Sequence, residues 1–206
     1  MGKIAIALLL FCSLILPAPA YHGVPRDPES VADWFDNQIY KTEKLTKLHF
    51  FIHHEVSGKN PTALEVVRPN KTHGRFDFGV VVMFDDAVTV GPERDSTEIG
   101  RIQGSFSSAG LNEVSLMNNF LLFFTGGQYK GSSLSILGKN TPYEPYREMA
   151  VVGGSGVFRL ARGVATVNKY AYDDKTGDGV PEYHVMVIHH DSSAEASPKT
   201  SCSDEL

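Results

Sequence analysis

Histidine is the residue type in this sequence that first suggests chemistry, because its ring titrates near neutral pH and also ligates metals. Five of the eight histidines form two clusters, with His49, His53 and His54 in one and His189 and His190 in the other. On a β-strand, His49 and His53 share one face while His54 points to the opposite face. A metal site needs ligands that converge from at least two strands onto one face, so we expect hydrogen-bonded histidines and no bound metal.

The sequence gives little support for three other kinds of functional site: a phosphate-binding loop, a calcium-binding loop and a hydrolase nucleophile. Residues 153–156 (Gly-Gly-Ser-Gly) lack the lysine and the following helix of a phosphate-binding loop, so a tight turn is expected there. Residues 173–179 resemble a calcium loop but lack its closing glutamate, so a hairpin turn is expected. The sequence also has no Gly-x-Ser-x-Gly motif. We therefore predict no cofactor and no nucleophilic hydrolase.

The composition excludes further classes of protein. The chain has 206 residues, a hydrophobic fraction of 42% and a formal charge of -5, which is typical of a globular protein. Binding to nucleic acid needs an excess of lysine and arginine, and here 19 basic residues stand against 24 acidic ones, so no nucleic-acid partner is expected. With only Cys12 and Cys202, burial of apolar side chains must hold the fold without a disulfide framework.

Both ends of the chain carry targeting features. Residues 1–20 combine a lysine, an apolar run and an Ala-x-Ala ending, which predicts a cleaved secretory signal peptide. That run is too short to span a bilayer, so we expect a secreted protein without a membrane span. Residues 191–206 are predicted to be a disordered tail, whose last four residues, Ser-Asp-Glu-Leu, weakly match an ER-retention signal. In a secreted chain, Asn70 of Asn-Lys-Thr is a glycosylation acceptor.

The body of the chain is predicted to be a β-barrel. An N-terminal segment at 21–46 contains one short helix at 30–40, and β-type runs between glycine-rich turns fill residues 47–190. Strand–helix–strand units are not evident, and glycines within strands relieve the sharp bends of a closed barrel. We therefore predict an all-β protein in which eight or nine antiparallel strands form a closed barrel rather than a sandwich, and an eight-stranded barrel can hold one small ligand. The expected strands are 47–56, 76–84, 97–106, 113–125, 132–137, 147–152, 156–162, 165–172 and 182–190.

Several blocks of this sequence resemble the plant dirigent proteins. The blocks are 48–53 (LHFFIH), 56–63 (VSGKNPTA), 84–86 (FDD), 100–104 (GRIQG), 137–140 (LGKN), 147–149 (REM) and 152–159 (VGGSGVFR). They follow one another in the order of the family, over most of the chain. The LHF and SGKNPTA forms are closer to the pterocarpan-synthase-like branch than to the branch that forms lignans.

The resemblance implies a fold and a function. It implies an eight-stranded barrel that assembles as a homotrimer, is secreted to the apoplast and has no oxidase activity of its own. Some members guide the coupling of phenoxy radicals that a separate oxidase, such as a laccase, produces; others steer the cyclisation of a quinone methide. The alternatives are a phenolic-binding or wall-associated defence protein of the same fold, and a metal-dependent barrel enzyme.

The resemblance also identifies candidate site residues. His54 stands where the family has an aspartate, and an imidazolium can replace that acid by donating a proton to a quinone oxygen. Asn140 occupies the position of a second acid and can only form hydrogen bonds. Arg147 is retained, and it either stabilises negative charge on the substrate oxygen or forms a structural salt bridge with Glu144 or Glu148.

Phe106 is the aromatic residue that the family keeps near the Arg-x-Gln-Gly strand, and it is a substrate-binding candidate. Independently of the resemblance, Tyr143 and Tyr146 are substrate-binding candidates, because two prolines stiffen their loop and their rings can stack on an aromatic ligand.

Overall fold

The computed structural model of the chain describes residues 27–36 and 42–190, and the elements within these ranges are one α-helix, nine strands and two short 3₁₀ turns. The helix is α1 (Pro28–Asp36). The strands are β1 (Glu43–His53), β2 (Ala63–Val67), β3 (Val81–Thr89), β4 (Glu98–Ser108), β5 (Leu116–Phe124), β6 (Ser133–Asn140), β7 (Tyr146–Ser155), β8 (Arg162–Tyr172) and β9 (Gly179–His190). The 3₁₀ turns are Gly127–Tyr129 and Gly156–Phe158.

All nine strands belong to one antiparallel sheet, which closes into a barrel at β3. The strand order is β1-β9-β8-β7-β6-β5-β4-β3-β2, with an additional pairing of β1 with β3. The first half of β3 pairs with β2, and its last residues pair with β1, where Phe51 lies opposite Thr89. Eight strands therefore form a closed ring and β2 is an extra strand at its margin, which confirms the predicted fold class.

Residues 156–162 do not form the expected strand. Gly156 has a φ of +64°, and the chain passes through a 3₁₀ turn before β8 begins at Arg162. Phe158 in this turn is fully buried against Phe124 and Tyr129, with ring centroids 4.9–5.6 Å apart. Phe158 and Ala161 are therefore buried at one end of the barrel instead, whereas Leu160 of the same segment is 46% exposed. The expected turn at 153–156 is also displaced, since β7 continues to Ser155.

The segment 76–84 is a strand only in its last part. β3 begins at Val81, and the chain before it is a turn in which Gly79 has a φ of +92°. Phe78 is exposed, so the alternation of inward and outward side chains that the sequence suggests for 76–84 does not include Phe78. β2 was not among the expected strands. The other seven expected strands are present with shifted ends, and β1 begins at Glu43 rather than at 47.

The helix α1 fits the expected helix at 30–40, of which residues 37–40 lie outside the described ranges. Trp34 of this helix packs against Arg159, whose guanidinium carbon lies 4.7 Å from the centroid of the Trp34 ring. Within the described ranges, the chain has no helix with the length and apolar character to cross a bilayer. The predicted signal peptide and the C-terminal tail lie outside those ranges.

Gly163 lets β8 and β9 approach each other closely. A Cβ atom on Gly163 would lie 1.9 Å from the backbone oxygen of Met186. We expect Gly163→Ala to lower the free energy of unfolding by about 2 kcal/mol, because the backbone must move to accept the methyl group. Gly153→Ala is the matched control, since nothing lies within 4 Å of a Cβ there. Equal melting temperatures of the two variants in calorimetry would contradict this assignment.

Candidate functional site

The end of the barrel opposite Phe158 holds a cavity of about 470 Å³. Residues from all eight strands of the closed ring line it, and the segments after β1, β2 and β6 contribute to its rim. A cavity of this size fits a small organic molecule of several rings. The apolar side chains of the inner walls are Ile52, Val82, Phe84, Ile102, Phe106, Leu116, Phe120 and Val167.

A buried carboxylate and a histidine form a hydrogen-bonded pair in the cavity wall. Asp86 on β3 is 1% exposed, and its Oδ2 lies 2.7 Å from Nδ1 of His54. The other oxygen of Asp86 accepts a hydrogen bond of 2.5 Å from the hydroxyl of Thr62. An ionised Asp86 therefore holds a proton on Nδ1 of His54 and leaves Nε2 to exchange a proton with a bound molecule. The pair has the arrangement of a general base and the carboxylate that orients it.

Arg147 brings a positive charge into the same cavity. Its Nε is buried without a hydrogen-bond partner, and the ion pairs found among the described residues do not include it. Burial lowers the pKa of Arg147, since removal from water penalises the charged form. The cavity thus contains a partly desolvated cation that a negatively charged oxygen of a ligand would pair with.

Two amides and a phenol complete the polar groups of the cavity. The Oδ1 atoms of Asn118 and Asn140 are buried without hydrogen-bond partners in the described protein, so a ligand hydroxyl can satisfy them. Burial strongly raises the pKa of Tyr183, which stacks on Phe50 at 5.5 Å between ring centroids. Tyr183 is therefore a neutral phenol at physiological pH and does not supply a negative charge.

The structure brings most of the predicted site residues together. Phe106 lies in the cavity wall, with its ring centroid 6.4 Å from those of His54 and Phe84. Tyr143 is at the rim and contacts Phe76 edge-to-face at 6.2 Å. Tyr146 is 74% exposed and does not line the cavity. His54, Asn140 and Arg147 all line it.

Asp86 and Tyr183 are absent from the candidates that the sequence suggested. A signal for Asp86 was present in the alternation of β3, where Phe84, Asp86 and Val88 are buried and Asp85 is exposed. A polar residue at an inward position of a strand is a candidate site residue, because a buried carboxylate requires partners.

The hairpin between β8 and β9 holds the segment after β1 in place. His54 and Gly179 exchange two backbone hydrogen bonds of 2.9 Å. The Oδ1 of Asp178 accepts hydrogen bonds from the backbone N–H groups of Val56 and Ser57, and its Oδ2 accepts one from the Ser57 hydroxyl. The hairpin expected at 173–179 is therefore present, and it fixes the backbone that carries His54.

Loss of the Asp178 carboxylate should weaken this attachment. The hydrogen bond from the Ser57 hydroxyl is the main cause that lowers the pKa of Asp178 to about 2. Its contribution to stability is therefore present above pH about 4 and is lost as the pH falls toward 2. We expect Asp178→Asn to lower the melting temperature by about 3 °C at pH 7. A difference from wild type that persists unchanged at pH 3 would contradict this role.

Comparison with known proteins agrees with the fold and shows the family. The family model described as Dirigent-like protein matches residues 45–188. Pterocarpan synthase 1 of Glycine max is 44% identical over 153 residues, which cover 73% of this chain and 82% of that protein. Dirigent protein 21 of Arabidopsis thaliana is 40% identical over 151 residues, covering 73% and 80%. The solved structure of the pterocarpan synthase dirigent protein GePTS1 superposes with a TM-score of 0.68 at 44% identity, covering 71% of this chain and 86% of that one. This chain belongs to the dirigent family.

Proposed function

We propose that this protein binds a phenolic quinone methide in the barrel cavity and sets the stereochemistry of its cyclisation in isoflavonoid or related phenylpropanoid metabolism. The observation that carries the proposal is the combination, in one apolar cavity, of the Asp86–His54 pair and the unpaired Arg147. The relatives named pterocarpan synthase support this branch over radical coupling.

The cavity residues fit the proton transfers of such a cyclisation. A phenolic hydroxyl of the bound molecule adds an electron pair to the methide carbon and forms a C–O bond. The quinone methide ring then becomes aromatic, and its carbonyl oxygen receives an electron pair. His54 accepts the hydroxyl proton while Asp86 stabilises the resulting imidazolium. Arg147 stabilises the negative charge on the former carbonyl oxygen, and that oxygen takes up the proton when His54 releases it.

The apolar walls supply the steric part of the function. In the cavity wall, the ring centroid of Phe84 lies 6.4 Å from that of Phe106 and 6.0 Å from that of Phe120. Aromatic rings held in fixed positions restrict which face of the methide carbon the hydroxyl reaches. The handedness of the product would then follow from the orientation of the ligand between these rings and Arg147.

A comparison of two reactions tests the proposal. The cyclisation conserves electrons and needs no oxidant, whereas radical coupling requires an oxidase such as a laccase. A hydroxylated isoflavanol forms the quinone methide by losing its benzylic hydroxyl group and a phenolic proton as water, with no change of oxidation state. We expect the protein to accelerate product formation from this isoflavanol in the absence of oxidase. It should not change the product distribution from coniferyl alcohol and laccase. Binding of the isoflavanol without acceleration would favour the phenolic-binding alternative and overturn the proposal.

We also propose that the protein is secreted and glycosylated, as its first twenty residues and its sequon indicate. Asn70 is exposed in the turn before β3, which supports access by the glycosylation machinery. The C-terminal Ser-Asp-Glu-Leu leaves ER retention as the alternative location.

The outer face of β5 supports a homotrimer, which we propose as the assembled state. Leu121 and Phe123 are 47% and 43% exposed there, beside Met117 on the same strand and Leu137 on β6. A row of exposed apolar side chains of this kind is typical of a protein interface. A polar outer face would be expected if these strands met only water.

Light scattering at micromolar concentration should therefore give three times the mass of the mature chain. The double change Leu121→Asp and Phe123→Asp is expected to yield monomers, because two charges would be buried in the contact. Met186→Asp on β9 is the control, since Met186 has a similar exposure of 43%. A monomeric wild type would contradict the proposed assembly.

A further inference from the structure

The outer face of the barrel brings two histidines and a glutamate together across β1 and β9. His49 and His184 lie directly opposite each other in the register of the two strands, and Glu182 lies two residues before His184 on the same face. The Oε1 of Glu182 is 2.8 Å from Nε2 of His49 and 3.5 Å from Nε2 of His184. This is the convergence from two strands onto one face that a metal site requires.

The geometry of the three side chains fits a transition metal. The two imidazole rings are stacked, with centroids 4.3 Å apart and planes inclined by 6°. One nitrogen or oxygen atom from each of the three side chains lies within 4.8 Å of the others. Ligand atoms at about 2.0–2.2 Å from an ion are separated by about 3–3.5 Å, so small side-chain movements complete the coordination.

Neighbouring side chains hold the cluster in position. Nδ2 of Asn168 on β8 lies 3.3 Å from Oε2 of Glu182, the oxygen that does not contact the histidines. The ring of Phe51 packs beside His49 at 5.2 Å between centroids. Glu182 is only 19% exposed, whereas both histidine side chains are about half exposed, so water can fill the remaining ligand positions.

We propose that His49, Glu182 and His184 form a binding site for a divalent transition-metal ion, with Cu²⁺ bound more tightly than Zn²⁺. Two imidazoles and one carboxylate suit these ions and not Ca²⁺ or Mg²⁺, which prefer oxygen ligands. The site is separate from the cavity, because His54 and Tyr183 face the interior while His49 and His184 face outward. It is therefore independent of the proposed cyclisation.

Isothermal titration of the untagged, assembled protein with Cu²⁺, Zn²⁺ and Mg²⁺ tests the site. In separate titrations, we expect one Cu²⁺ ion per chain, one Zn²⁺ ion per chain and no binding of Mg²⁺. His184→Gln should weaken Zn²⁺ binding by about 100-fold, and Asn168→Ala by about 10-fold through loss of the contact that orients Glu182. His73→Gln removes an exposed histidine from the segment between β2 and β3. This control variant should bind Cu²⁺ and Zn²⁺ with the affinity of the wild type.

Melting temperatures measured without metal control for misfolding of the variants. Electron paramagnetic resonance of the Cu²⁺ complex should show nitrogen coupling that His49→Gln reduces and His73→Gln leaves intact. Wild-type affinity in His184→Gln, or absence of stoichiometric Cu²⁺ binding to the wild type, would overturn the proposal.

Discussion

Asp86→Asn is expected to slow the proposed cyclisation by about 100-fold or more, which is the usual contribution of a general base. The amide keeps the size of the side chain but cannot stabilise an imidazolium at His54. Its NH₂ group can also donate toward Nδ1 and reverse the tautomer, which would place a proton on Nε2 and block its use as a base. Initial rates with a hydroxylated isoflavanol at saturating concentration measure the effect.

Three further variants make this prediction specific. His54→Gln should lose as much activity as Asp86→Asn, and the double variant should lose no more than either, because the two residues act as a unit. Thr62→Val removes one hydrogen bond to Asp86 but keeps the carboxylate, so it should cost less than 10-fold. His54→Asp should retain more activity than His54→Gln, since it restores a carboxyl group. Wild-type rates in a folded Asp86→Asn protein would contradict the role of the pair.

Arg147→Met is expected to reduce the cyclisation rate by about 100-fold, which is the cost of removing one group that stabilises an oxyanion. The same change should leave the melting temperature unchanged or raise it, because it removes a partly desolvated charge that lacks a counterion. This opposite effect on activity and stability distinguishes a substrate-binding arginine from a structural one.

Arg147→Lys gives the stereochemical counterpart of this prediction. A lysine keeps the positive charge but loses the planar fork of donors. The cyclisation rate of Arg147→Lys should therefore be higher than that of Arg147→Met, while its enantiomeric excess should be lower than that of the wild type. Both quantities are measured on one preparation by chiral chromatography and calorimetry. Unchanged enantiomeric excess together with a lower melting temperature would remove Arg147 from the site.

The fold was largely predictable because most strands carry a regular inward alternation. In β5, every second residue from Leu116 to Phe124 is buried, and this pattern is visible in the sequence. The prediction was wrong at Phe158, since a buried aromatic residue in a 3₁₀ turn has the same local composition as one in a strand. The strand β2 is short and mostly exposed, so its residues do not differ from those of a loop.

Tyr143 at the rim of the candidate site was predicted from its proline-containing loop. The other candidate residues were predictable only where they matched the family resemblance. His54, Asn140 and Arg147 were identified in this way, and all three line the cavity.

Asp86 was missed because the expected strand ended at residue 84, although the inward alternation of β3 continues from Phe84 through Asp86 to Val88. The cluster of His49, Glu182 and His184 on the outer face was missed, because only the register of β1 against β9 places His184 opposite His49.

The enantiomeric excess of the product formed by the wild-type protein, with isoflavanol as substrate and no oxidase present, tests the central claim most directly. Chiral chromatography of a reaction stopped at low conversion separates the catalysed product from the spontaneous one. A cyclised product in large enantiomeric excess, formed in proportion to protein concentration and lost in Asp86→Asn, is the predicted result. A racemic product at the rate of the protein-free control would contradict the claim that this cavity steers a phenolic intermediate.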